Sequence, residues 1–89
     1  MKIEFDDVKD RDNRTRHGVS LSQAVKLDWD AAMVWIDDRY DYDELRMRGL
    51  APEGTVLYFV AFVERGDCKR IISLRKATRR EARLYVEEY

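Results

Sequence analysis

Residues 56–76 read VLYFVAFVERGDCKRIISLRK and decide the fold. Val56 to Val63 is apolar on both faces, which suits a central strand covered on each side. Arg65-Gly66-Asp67 is short and turn-prone, so Lys69 to Lys76 returns as a hairpin partner. Working upstream, Met33 to Ile36 and Glu44 to Leu50 have strand character, and Ala51-Pro52-Glu53-Gly54 supplies the turn before Val56. Four strands in a meander follow. Before them, Lys2 to Phe5 alternates as a short first strand, and Asp6 caps a helix from Asp7 to Arg16 that His17-Gly18 stops. Ser20 with Gln23 has the capping-box pattern of a second short helix ending near Leu27. Thr78 with Glu81 repeats that pattern and opens a last helix whose Ala82, Tyr85, Val86 and Tyr89 fall on one stripe. The expected order is β-α-α-β-β-β-β-α. It describes an α+β domain with two N-terminal helices and one C-terminal helix on a twisted antiparallel sheet.

The chain has 89 residues, 45% of them hydrophobic and 39% charged, which allows one small domain with a single core over residues 1–89. Cys68 is the only cysteine, so no disulfide framework or cysteine metal site forms within one chain. The amino terminus lacks the apolar region of a secretory leader, and the run Val56 to Val63 is too short for a transmembrane helix. No membrane role and a cytoplasmic setting are therefore expected.

The formal charge of −1 hides an uneven distribution. Asp28, Asp30, Asp37, Asp38, Asp41, Asp43 and Glu44 crowd the middle, with Arg39 the only base interleaved among those acids. Between Cys68 and Leu84, Lys69, Arg70, Arg75, Lys76, Arg79, Arg80 and Arg83 stand against Glu81 alone. Phosphate is the natural partner of such a basic end.

Strand alternation predicts that Glu44, Arg46 and Arg48 share one face, opposite Leu45 and Met47. In the last strand it places Arg70, Ile72, Leu74 and Lys76 on one face and Ile71, Ser73 and Arg75 on the other. If the two polar faces align across the central strand, Arg46, Arg48, Arg75 and Glu44 converge on an open sheet surface. Arginine's planar fork suits phosphate oxygens, although strand charges are more often plain solvated surface. Lys76 and Arg79 beside the last helix's amino terminus form a second anion cradle, with Arg83 one turn further on. His17 is the only histidine and the side chain best suited to proton transfer near neutrality; the plainer role is a helix-terminal residue favoured by the dipole. Trp29, Trp35, Tyr40, Tyr42, Tyr58 and Tyr85 would stack on bases if exposed, but their spacing places most of them in the core. The acidic middle lacks the glycine and glutamate spacing of a calcium loop, and no metal or other cofactor is expected.

The stretch Asn13-Arg14-Thr15-Arg16-His17-Gly18-Val19, the middle from Asp41 to Arg46, and Arg70-Ile71-Ile72-Ser73-Leu74-Arg75-Lys76-Ala77-Thr78 with Glu81 and Tyr85 resemble the BrnT toxins. Leu74 and Leu21 stand where that family usually has other residues. The resemblance implies a RelE-like fold and a ribonuclease of a bacterial type II toxin-antitoxin system. It further implies neutralisation by a BrnA-like antitoxin, with promoter DNA bound only through the complex of the two. Under it, His17, Arg46, Arg75, Lys76 and Arg79 match motif positions. RNA cleavage would be metal-independent, with Arg46 and Arg75 stabilising phosphoryl charge, Glu44 or His17 as general base, and Arg48, Lys76, Arg79 and Arg83 holding RNA. Two rival readings stay open beside it. One is a noncatalytic nucleic-acid module using the same basic end; the other is an interaction domain whose segment from Asp28 to Glu44 docks a basic partner.

Overall fold

A computed structural model describes residues 1–39 and 43–88. Tyr40, Asp41, Tyr42 and Tyr89, which figured in the stacking, acidic-segment, family-motif and helix-stripe expectations, lie outside the described residues. The elements run β1 (Lys2–Glu4), α1 (Asp7–His17), 3-10 helices at Leu21–Lys26 and Trp29–Ala31, β2 (Met33–Ile36), β3 (Arg46–Glu53), β4 (Val56–Arg65), β5 (Cys68–Lys76) and α2 (Arg79–Glu88).

The sheet order is β1-β5-β4-β3-β2, which makes β4 the middle strand as its two-sided apolar sequence predicts. Every residue from Tyr58 to Val63 is buried. The sheet is mixed rather than antiparallel throughout: the β2–β5 neighbours pair antiparallel, but β1 lies parallel to β5 with Ile3 opposite Lys69. Hairpin turns dictate the direction of the meander strands. β1 has no hairpin, and the long chain between it and β5 permits the crossover that a parallel pair requires.

The expected second α-helix is a 3-10 helix. Leu21, Ala24 and Leu27 recur every third residue, which is the 3-10 repeat, and all three are buried against the sheet. Ser20 caps it by accepting from the Ser22 amide, while the Gln23 side chain reaches Glu53 instead of closing a capping box. The box at α2 does form: the Glu81 amide donates to Thr78 Oγ1 at 3.1 Å and the Thr78 amide to Glu81 Oε1 at 2.9 Å. The predicted stripe on α2 holds at Tyr85, which packs on the sheet, and fails at Val86, which is exposed.

α1 docks by polar contacts. Its one large apolar residue, Val8, is 66% exposed, whereas Asp10 and Asn13 are buried. Asn13 Nδ2 donates to the carbonyls of Val19 (2.8 Å) and Leu74 (2.7 Å), and its Oδ1 accepts from the Leu74 amide at 3.2 Å. Asp10 Oδ1 accepts from the Leu21 amide (2.7 Å) and the Ser20 hydroxyl (3.0 Å). The Leu21 bond holds the Asp10 carboxyl below the usual carboxylate range, against the opposing effect of burial. Gly18 ends α1 in the left-handed conformation (φ 71°), a turn that glycine makes without strain.

Two apolar layers result. α1 and the 3-10 helix Leu21–Lys26 cover Tyr58, Val60, Phe62, Ile71 and Leu74 on one side of the sheet. Leu50, Phe59 and Ala61 lie on the other side, where Met33, Trp35, Ile72, Ala77 and Tyr85 pack.

Candidate nucleic-acid interface

The second side of the sheet carries the arginines. On β3, Arg46, Arg48 and Leu50 alternate onto it and lie opposite Val63, Ala61 and Phe59 of β4. Beyond β4, Val63 pairs with Arg70 and Phe59 with Arg75. One row therefore reads Arg46, Val63, Arg70 across three strands, and another reads Leu50, Phe59, Arg75.

Simple alternation had separated Arg70 from Arg75 by placing Ile72 and Leu74 with Arg70. The register shifts between Ala61 and Phe62, so β5 carries one extra residue there. A bulge of this kind resets which residues face which side. Ile71 and Leu74 both enter the core beneath α1, while Ile72 packs on the arginine side. Arg70 consequently joins Arg46, Arg48 and Arg75. The adjacent apolar pair Ile71-Ile72 is the signal in the sequence that strict alternation fails here.

At one end of this face, Asp43, Glu44, Arg46, Val63, Arg65, Arg70 and Ile72 line a cleft of about 380 Å³. Glu44 lies just before β3, not within it, and Arg65 grips it with both prongs, Nε at 2.9 Å and Nη2 at 2.6 Å. The Arg65 bonds hold the Glu44 carboxyl below the ordinary glutamate range. Arg70 is 3.5 Å from Glu4, which also lies 3.6 Å from Arg65. The cleft thus sets the ionised Glu44 carboxylate, with Asp43 also in the lining, among three guanidinium groups.

At the other end, Phe59 lies beneath two arginines. The Arg75 guanidinium carbon is 4.2 Å from the ring centroid and that of Arg48 is 5.4 Å away; Arg48 also lies 5.6 Å from the centroid of Trp35. Arg48 Nε is buried and has no hydrogen-bond partner among the described residues. Arg75 is bound bidentately by Glu81 at 2.8 and 3.0 Å, so the first turn of α2 clamps the end of β5. That pair, with the Thr78 cap, holds the Glu81 carboxyl below its ordinary range. The Tyr85 hydroxyl donates to the Ala31 carbonyl at 2.6 Å and ties α2 to the chain entering β2.

Arg46, Arg48, Arg75 and Glu44 therefore occur on one side, with the cleft at one end and the Phe59 platform at the other. Lys76 pairs with Tyr58 and points to the opposite side from Arg75, as alternation predicts. Arg79 and Arg83 are exposed on α2. His17 is exposed at the end of α1, on the layer across the sheet from the arginines, so the fold does not bring it to them. Lys69 is structural: it lies 5.2 Å from the Trp29 ring centroid and pairs with Glu64 at 2.7 Å.

Sequence reasoning missed Arg65, and it missed the aromatic support of Arg48. Neither is readable without knowing which side chains cross-strand pairing brings together. Among the described residues, no helix is long and apolar enough to cross a membrane.

No curated protein matches the chain. A family model for BrnT, the ribonuclease toxin of type II toxin-antitoxin systems, matches residues 5–81, which spans α1, the whole meander and the Arg75–Glu81 clamp. With that match over most of its length, the chain belongs to the BrnT family of ribonuclease toxins, whose type II systems pair each toxin with a protein antitoxin.

Proposed function

We propose that this chain is an endoribonuclease of RelE-like type that acts in the cytoplasm, lays RNA across the arginine side of the sheet and cleaves it without a metal ion. The observation that carries the reading is the convergence of Arg46, Arg48, Arg70 and Arg75 on one side of the sheet from β3 and β5. The 2'-hydroxyl attacks the adjacent phosphorus, the 5'-oxygen leaves, and a 2',3'-cyclic phosphate remains. Negative charge grows on the phosphoryl oxygens during the step, so fixed cations lower its barrier.

Arg46, in the cleft with Glu44, takes that electrostatic role, and Arg48 and Arg75, beside Phe59 at the other end, hold a neighbouring phosphate over that aromatic bed. Arg79 and Arg83, exposed on α2, guide the flanking strand, and Lys76, on the opposite side of the sheet, does not join them. Glu44 is the general base. Its pair with Arg65 keeps it ionised, the form that accepts a proton, at the cost of basicity. His17 stands on the other layer and leaves the base role to Glu44. The leaving oxygen takes its proton from water. A BrnA-like antitoxin neutralises the toxin, and promoter DNA is reached only through their complex.

The test is cleavage of a labelled RNA by Arg46→Ala and Arg75→Ala proteins, each checked for folding by circular dichroism. Loss of the transition-state cation Arg46 lowers the cleavage rate by about 10²–10³-fold with a modest change in RNA affinity, whereas Arg75→Ala lowers the rate mainly through weaker RNA binding. Unchanged cleavage in both variants overturns the reading. Loss of binding without any cleavage by the unsubstituted chain favours a noncatalytic module. Chelator leaves the rate unchanged if no metal takes part, and activity that returns only with added magnesium refutes metal independence.

A further inference from the structure

We propose that the open edge of β2 receives an extended, basic-flanked segment of the antitoxin as an added strand. The proposal rests on the antitoxin partnership that the family carries. β2 ends the sheet order, so among the described residues one side of it has no neighbouring strand. The Asp37 amide donates to the Arg46 carbonyl at 2.8 Å, and the register pairs Trp35 with Arg48 and Met33 with Leu50. In an antiparallel ladder this phase commits the backbone groups of Met33, Trp35 and Asp37 to β3 and turns those of Val34 and Ile36 outward.

The same two residues are 41% and 55% exposed. Edge strands are guarded by short length, lysine, proline or a bulge; Met33-Val34-Trp35-Ile36 is short, at four residues, and has none of the others. Its outward amides and carbonyls, with apolar side chains at alternate positions, are the template that strand addition uses.

Charge selects the occupant. Exposed Asp28 precedes β2 and exposed Asp38 follows it, while the Asp37 carboxylate is buried and already paired with Arg39 at 2.9 Å. Two copies paired through β2 would bring these aspartates together within the roughly 10 Å range where charges still interact in salt. A partner strand bracketed by lysine or arginine meets them with the opposite sign. Val34 and Ile36 face the α1 side of the sheet, away from the arginines, so occupation of the edge and RNA cleavage are separable.

The experiment measures affinity for the full-length cognate antitoxin in three variants. Ile36→Pro removes an outward amide without touching the β3 ladder, and Val34→Lys/Ile36→Lys places positive charge on the edge. Val86→Lys is the control on exposed α2. Affinity falls at least tenfold for the first two and stays unchanged for the control, while folding and RNA cleavage match the unsubstituted chain. Hydrogen exchange on the unsubstituted complex shows new protection at Val34 and Ile36, and this measurement decides if Ile36→Pro fails to fold. Affinities within twofold in folded edge variants, or protection elsewhere without change at Val34 and Ile36, overturn the proposal. So does a free dimer that Ile36→Pro dissolves while antitoxin affinity stays constant, which would make a second copy the occupant. Absence of RNA cleavage by the unsubstituted chain bears on the nuclease reading alone.

Discussion

Replacing Asn13 with alanine removes the contact that docks α1, a helix with almost no apolar surface of its own in the core. Three short bonds disappear, two from Nδ2 to the Val19 and Leu74 carbonyls and one from the Leu74 amide to Oδ1. Each is buried or partly so, and at about 1–1.5 kcal/mol per bond the loss is about 3–4 kcal/mol. Unpaired Leu74 groups add to that figure, because Leu74 is fully buried. A domain of this length holds about 4–13 kcal/mol in total, so the substitution takes a large share. At about 4–8 °C per kcal/mol the melting temperature falls by roughly 15 °C or more.

Asn13→Asp is at least as damaging, since it sets carboxylate oxygens against two carbonyls. Asp12→Ala on the same helix breaks only an exposed pair with Arg16 at 3.6 Å and costs at most about 0.5 kcal/mol. Urea unfolding of the three proteins, read by circular dichroism and fluorescence, measures the differences. A cost below about 1 kcal/mol for Asn13→Ala, or no larger than that of Asp12→Ala, would refute polar docking of α1. Leu74 precedes Arg75, so RNA cleavage by Asn13→Ala, assayed well below its melting point, also reports whether this anchor holds the end of β5 in place.

Two further outcomes follow from the same geometry. The Asp10 carboxyl has a folded pKa below its unfolded value, so its charged form stabilises the protein above about pH 4, and that contribution fades as pH falls through the folded pKa. The stability advantage over Asp10→Asn, measured by urea unfolding from pH 7 to pH 3, is level at the upper end and narrows at the lower; an advantage that widens with acid contradicts the assignment. Phe59→Ala costs about 3–5 kcal/mol and removes the ring beneath Arg48 and Arg75, whereas Leu57→Ala, at a half-buried site, costs less. Near-neutral thermal melts for both variants would be incompatible with β4 as the core strand.

Local chemistry in the sequence determined most of the elements. Asp6 and Gly18 bound α1 and Thr78 with Glu81 opens α2, because capping acts over three or four residues and is visible in the chain itself. The apolar run at Val56 to Val63 fixed β4 as the middle strand, since only a strand covered on both faces tolerates it. Arg46, Arg48 and Arg75 were legible as neighbours from their alternation on β3 and β5.

Tertiary structure alone decided the rest. The parallel placement of β1 depends on a crossover spanning most of the chain, and no local turn encodes it. The bulge in β5 moved Arg70 to the arginine side, because one extra residue in a ladder inverts the facing of everything beyond it. Glu44 stood in the sequence as a candidate general base beside Arg46, yet Arg65, twenty-one residues away, holds both its oxygens. His17 and the arginines fell on opposite layers because α1 docks through Asn13 to the far side of β5. Sequence periodicity gives the facing of each strand; which charges meet depends on the register between strands, and that is set only when the whole sheet closes over its core.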